Sequence, residues 1–176
     1  MPLLALLSFA TLLGKQSAAE GDWHPLQTSY FRLGTKSQPS ALRVRLFWGD
    51  QRMGLLKIDA GRGSGTSEFK RERKIYEDVR GWNWCALADA GEPEPFLVVS
   101  GNWDIVPPPE TSFFRLKDRK AVPVLPKNVS PALRKLESAC IAFTKKDQRF
   151  TTIQAHRVRG VWKLSRVPAV KGATWP

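Results

Sequence analysis

The chain reads as an α+β domain: a mostly antiparallel β-sheet with one main helix, over about residues 130–146, packed on it. Three observations predict this. Several short runs alternate apolar and polar residues with the period of two that marks a half-buried strand. Turn residues punctuate those runs. One stretch, after Ser130-Pro131, carries apolar residues at helical spacing behind a capping signal. Of the 176 residues 42% are hydrophobic and seven are Trp. That is enough apolar material for a core and argues against a disordered chain. One domain is the default at this length.

Residues 1–19 read as a signal peptide outside the fold. Leu3 to Leu13 is an eleven-residue apolar run. A membrane span needs about 20 such residues, whereas this length suits the hydrophobic region of a secretory signal. Ser17 and Ala19 place small side chains before Glu20, where a signal peptidase requires them. No Lys or Arg precedes the run, which is atypical for a signal. Removing residues 1–19 leaves 27 Lys and Arg against 16 Asp and Glu, a net +11. The expected location is therefore secreted or periplasmic, with no transmembrane span in the mature chain.

Residues 20–40 are polar, contain Pro25 and Pro39, and read as an irregular lead-in to a single domain at 41–168. Leu42, Val44, Leu46 and Trp48 alternate with Arg43 and Arg45, as in a half-buried strand. Gly49-Asp50-Gln51 is turn chemistry, and Met53 to Asp59 is a second strand, so the pair reads as a hairpin. The glycine-rich Gly61 to Thr66 has the flavour of a phosphate cradle but lacks the Lys of a P-loop, and Thr66 stands where a third Gly belongs. It reads as a hairpin tip.

Phe69 to Val79 is charged and reads as a long exposed strand, and Trp82 to Leu87 reads as a further extended piece. Phe96 to Val106 follows as a strand or strand pair. Eight of the 13 prolines lie between Gly91 and Pro131, so about 91–131 reads as a proline-rich loop draped over the domain. Ser130 can cap a helix and Pro131 suits its first position. Leu133, Leu136, Cys140 and Phe143 then form one stripe. Phe150 to Val158 and Val161 to Val167 form a terminal hairpin about Arg159-Gly160. Residues 169–176 are a tail.

The two cysteines, Cys85 and Cys140, are expected to form a disulfide, because an even thiol count behind a secretory signal favours one. With Cys85 turned inward to meet the helix, Trp82 and Trp84 would share the outer face. Two exposed indoles would make a stacking platform for sugars or bases, or a contact surface for protein. A metal site is not expected: Cys85, Cys140, His24 and His156 lack the close pairing that marks zinc ligands. No cofactor is implied.

Net charge points to the partner. A strongly basic exported domain favours an anionic polymer (a glycan, a lipid headgroup or nucleic acid) or a protein partner. Lys70, Arg71, Arg73 and Lys74 form the densest cluster. Arg157 and Arg159, with Lys163 and Arg166, form a second around the last hairpin. No G-x-S-x-G or H-E-x-x-H motif marks an enzyme. The expectation is a non-enzymatic binding or structural domain. The alternatives are an intracellular nucleic-acid-binding accessory protein, which predicts free thiols and an uncleaved N-terminus, and a hydrolase of unrecognised type built around His156.

Overall fold

The computed structural model describes residues 23–33, 40–49, 53–62, 73–102, 109–118 and 120–170. The expected signal peptide, most of the glycine-rich tip, and Lys70 and Arg71 lie outside these residues. Among the described residues the elements are β1 (His24–Leu33), β2 (Ser40–Trp48), β3 (Gly54–Arg62), β4 (Arg73–Asp89), β5 (Phe96–Asn102), β6 (Glu110–Lys117), β7 (Lys120–Pro123), α1 (Pro131–Thr144), β8 (Thr151–Val158) and β9 (Val161–Arg166). The fold is mostly antiparallel sheet with a single helix packed on it.

Strand β4 organises the molecule. Its first part, Arg73 to Arg80, pairs with β3 and completes a β1–β2–β3–β4 meander. Its second part pairs antiparallel with β5 on one edge and parallel with β8 on the other. The β7–α1–β8 connection supplies the crossover that a parallel pair needs. Antiparallel pairing then continues from β5 through β6 to β7, and from β8 to β9.

The second part of β4 and all of β5 are covered on both faces. Cys85, Leu87, Leu97 and Val99 face one core cluster with Phe31, Leu42, Val44, Leu46, Leu56 and Ile58 of the meander. Trp84, Ala86, Ala88, Phe96, Val98, Ile153 and Ala155 face the other, beneath Leu133, Leu136 and Cys140 of α1. A strand covered on both sides is apolar at every position rather than at alternate ones. The runs Cys85-Ala86-Leu87-Ala88 and Phe96-Leu97-Val98-Val99 have this pattern.

Helix α1 forms as its sequence dictates. Ser130 accepts a hydrogen bond from the Leu133 N–H at 3.3 Å, and Pro131 occupies the first turn. Leu133, Leu136 and Cys140 are buried, but Phe143 is 39% exposed, so the apolar stripe ends one turn earlier than its spacing predicts. Trp162 of β9 donates its indole N–H to the Ala132 carbonyl at 2.8 Å and pins the helix to the last hairpin.

Two further expectations are corrected. The lead-in is not irregular: residues 24–33 form an edge strand running from the Leu33–Ser40 pair to His24–Trp48, with Ser29 and Phe31 buried. Pro25 is tolerated because β1 has a neighbour on one side only. The proline-rich stretch is not one loop either, since β5, β6 and β7 lie within it. Phe113 and Leu116 anchor β6 in the core, Pro123 ends the edge strand β7, and Pro126 opens a short 3-10 turn at Pro126–Asn128. The chain stays tied down to Val170, whose N–H donates to the Thr28 carbonyl at 2.9 Å.

Candidate anion-binding surface

Trp82 and Trp84 are both buried and point to opposite faces, so they form no outer platform. The pairing of β4 with β5 shifts register between Trp82 and Trp84. Asn83, the extra residue of that bulge, takes the exposed position. The parity of the strand is reset there. Trp82 joins the cluster of Cys85 and the meander, while Trp84, 2% exposed, lies under the helix. The Trp82 ring fits against two glycines. A Cβ on Gly101 would come within 2.9 Å of the ring, and one on Gly54 within 3.1 Å.

The cysteines lie on opposite sides of the same layer. Cys85 faces the meander and Cys140 faces the opposite side of the β4–β5 layer. Both are buried free thiols, not a disulfide. Burial raises the pKa of each above the ordinary thiol range, Cys140 to about 12 with the Glu137 charge adding to the effect, and Cys85 further with Cys140 adding. Neither is a thiolate nucleophile at neutral pH.

Along β4, Tyr76, Asp78 and Arg80 form a half-buried polar ladder. Asp78 accepts from the Tyr76 hydroxyl at 3.1 Å, from Arg80 Nε at 3.0 Å and from the Val79 N–H at 2.8 Å. The Arg80 guanidinium also lies 5.4 Å from the centre of the Trp82 ring. Burial, and secondarily Asp78, pushes the tyrosine pKa up, so its hydroxyl remains a donor. With Asp78 engaged by three donors, the ladder braces β4 and offers no acid–base pair. His156 faces Asp89 at 3.6 Å on the surface, and His24 opens β1 on the surface. Among the described residues no three His, Cys, Asp or Glu side chains converge as a metal site would require. Ser67 and Lys70 stand at the S-x-x-K spacing of some acyl-transfer enzymes, but both lie outside the described residues.

A pocket of about 310 Å³ opens between β6, the Pro123–Pro126 segment and the start of α1, lined by Phe113, Phe114, Val124, Val129 and Arg134 among others. It offers no vacant cation. Arg134 donates to Glu137 and to the Pro126 carbonyl, both at 3.3 Å, and lies over the Phe113 ring.

The surface charge is distributed very unevenly along the chain. Residues 1–110 carry 13 Lys and Arg and 13 Asp and Glu, and net to zero; residues 111–170 carry 14 against three, a net +11. Of the six cations of the first part whose side chains are described, four are ion-paired. Arg43 and Arg45 converge on the buried Asp59 at 3.4 and 2.6 Å, Arg80 binds Asp78, and Lys74 reaches Glu77 at 3.4 Å. Arg73 and Lys74 are exposed at the start of β4, so of the cluster expected there only a fringe is described.

In the last third, three arginines are paired: Arg115 with Glu92 and Glu94, Arg134 with Glu137, and Arg166 with Asp147. Ten cations are exposed and make no ion pair among the described residues. Lys117 and Lys120 flank the β6–β7 turn, and Lys127 sits in the 3-10 turn. Lys135, Lys145 and Lys146 lie on α1 and just past its end, and Arg149 precedes β8. Arg157, Arg159 and Lys163 stand on the last hairpin, where a cationic cluster was expected. The turn of that hairpin holds Arg159 at φ 50 and Gly160 at φ 82, the two positive values of a type I′ turn. Asn or Gly is the usual first residue there, and an arginine costs about 1–2 kcal/mol in that conformation.

No protein-family model matches the chain, and no curated protein or solved structure matches it. What the surface does must be argued from its own side chains.

Proposed function

We propose that this protein is an exported, non-enzymatic basic domain that binds an anionic polymer or surface through the elements of its last third. One observation carries the reading. The whole positive excess of residues 1–170 falls between 111 and 170, where ten exposed cations have no carboxylate partner among the described residues. Unpaired like charges repel one another and weaken the compact state. A segregated, unneutralised set is accounted for by a polyanion that supplies the missing counter-charge. Each exposed cation adds little alone, whereas cations closer together than a Debye length of about 8 Å reinforce one another toward a polyanion. The polar ladder and the buried thiols are used up structurally, which supports binding rather than catalysis.

The test is retention on an immobilised sulfated polysaccharide. Replacing Lys135, Lys145, Lys146, Arg157, Arg159 and Lys163 with Gln should bring elution to markedly lower salt. Replacing Arg73 and Lys74 should shift it far less. Equal shifts for the two sets, or none for the first, would reject the assignment.

Export rests on the sequence of residues 1–19. An intact mass beginning near Glu20, after expression with the native N-terminus, is the expected result. The two free thiols favour a second reading, in which the protein works in a reducing compartment and the polyanion is nucleic acid. A full-length mass would select it.

A further inference from the structure

The tip of the β8–β9 hairpin has a composition that long-range electrostatics does not explain. β8 leaves its β4 neighbour after the Asp89–His156 pair. Two rungs, Arg157–Trp162 and Val158–Val161, and the turn then continue with only each other as strand partners, while Trp162 also bonds to the Ala132 carbonyl of α1. At about 3.3 Å per residue the outermost rung lies roughly 7 Å past the last rung shared with β4.

Val158 and Val161 face each other across the last rung and are 43% and 65% exposed. On the same face the next rung inward is His156 with Lys163, and Arg159 holds the turn. The tip is therefore an aliphatic pair inside a cationic collar. Isolated exposed aliphatics need no explanation, but a pair placed together at the end of a cationic hairpin does.

Resting on the polyanion reading above, we infer that the β8–β9 tip docks on an anionic lipid surface, with Val158 and Val161 entering the boundary between headgroups and acyl chains and Arg157, Arg159 and Lys163 contacting the headgroups. The reach of the tip matches the depth of about 5–10 Å at which interfacial segments settle. The side chains also favour lipid over nucleic acid. Base recognition uses aromatic stacking or hydrogen-bonding edges, whereas the outermost rung offers two aliphatic groups, and Trp162 spends its indole N–H on the helix.

The experiment is co-sedimentation of the full chain with phosphatidylcholine vesicles, with and without phosphatidylserine. The wild type should bind only the anionic vesicles. Arg157→Gln with Arg159→Gln and Lys163→Gln should weaken binding on the order of 100-fold. Val158→Ser with Val161→Ser, which changes no charge, should weaken it about ten-fold. A second readout is independent of affinity. Cys85 and Cys140 are buried, so a Val161→Cys variant can be labelled at the tip with an environment-sensitive fluorophore. Its emission should shift to the blue on anionic vesicles.

Anionic vesicle binding that ignores the valine changes and gives no blue shift overturns insertion. Salt-sensitive retention on sulfated polysaccharide or duplex nucleic acid without vesicle binding overturns this inference and leaves the polyanion reading standing. No binding to any of these probes overturns both.

Discussion

Trp82 donates its indole N–H to the Gly54 carbonyl oxygen at 2.7 Å, and the same ring lies against the Cα of that glycine. The bond ties the centre of β4 to the start of β3. It also explains why a large aromatic that could have faced solvent is buried: the bulge at Asn83 turns Trp82 toward the meander, and Gly54 and Gly101 leave room for it.

Removing that donor without removing the ring tests its role. Trp82→Phe should cost about 1–3 kcal/mol, because a buried carbonyl loses its partner. Gly101→Ala should cost a similar amount, since its Cβ would meet both the Trp82 ring at 2.9 Å and the Gly81 carbonyl at 3.0 Å. Urea unfolding measures both. Neither change should move the salt at which the protein leaves a polyanion column. A change in retention with no loss of stability would return Trp82 to the binding surface.

The thiols should behave as core groups. Cys85 and Cys140 should resist alkylation in the native state and react together on unfolding, because both are buried and held protonated. Refolding under oxidising conditions should give no intramolecular bond, since the β4–β5 layer stands between them. A native mass two hydrogens light would contradict this placement.

Acid should act through Asp147. Its carboxyl accepts from the Arg149 backbone N–H and from Arg166, and these hold its pKa below the ordinary carboxylate value. A folded-state pKa below the unfolded one gives stability that is present above the unfolded value, near pH 4, and is lost as pH falls through the folded value. Arg166→Gln should lower the melting temperature slightly on the neutral plateau, leave it little changed at the acid end, and so flatten the acid limb between them. A limb as steep as in the wild type would remove Asp147 as its source.

At the hairpin turn, stability and binding should move in opposite directions. Arg159→Asn places a residue suited to positive φ at a strained position and should stabilise the fold by about 0.5–1 kcal/mol. The same change removes a cation from the tip and should weaken polyanion retention. An Asn variant that is less stable would show that the turn is not strained by its arginine.

Much of the fold is legible in the residues. The alternation Leu42-Arg43-Val44-Arg45-Leu46 encodes β2, and Ser130-Pro131 encodes the start of α1. Two features are hidden for physical reasons. β1 buries Ser29 as well as Phe31, so its inner face does not read as apolar. The bulge at Asn83 breaks the period of two within one strand, so a strict alternation from Cys85 puts Trp82 beside Trp84 when it in fact shares the face of Cys85. That single residue undoes the platform, whereas the disulfide fails because the strand has a core on each face and Cys85 takes the one away from α1. The cationic surface is written in the chain, but as a running sum rather than as a cluster. Lys70, Arg71, Arg73 and Lys74 are dense in sequence yet lie in a part of the chain that nets to zero. Lys117, Lys135, Lys145 and Arg149 are scattered, and only their shortage of nearby carboxylates marks them.

The most direct test of the central claim is a titration of the purified full chain with a fluorescent heparin oligosaccharide over a series of salt concentrations. If the unpaired cations of residues 111–170 bind polyanion, the logarithm of the association constant falls steeply and linearly with the logarithm of salt. The slope should then shrink in the variant with Lys135, Lys145, Lys146, Arg157, Arg159 and Lys163 changed to Gln. A wild-type slope near zero, or one that the variant leaves unchanged, contradicts the account.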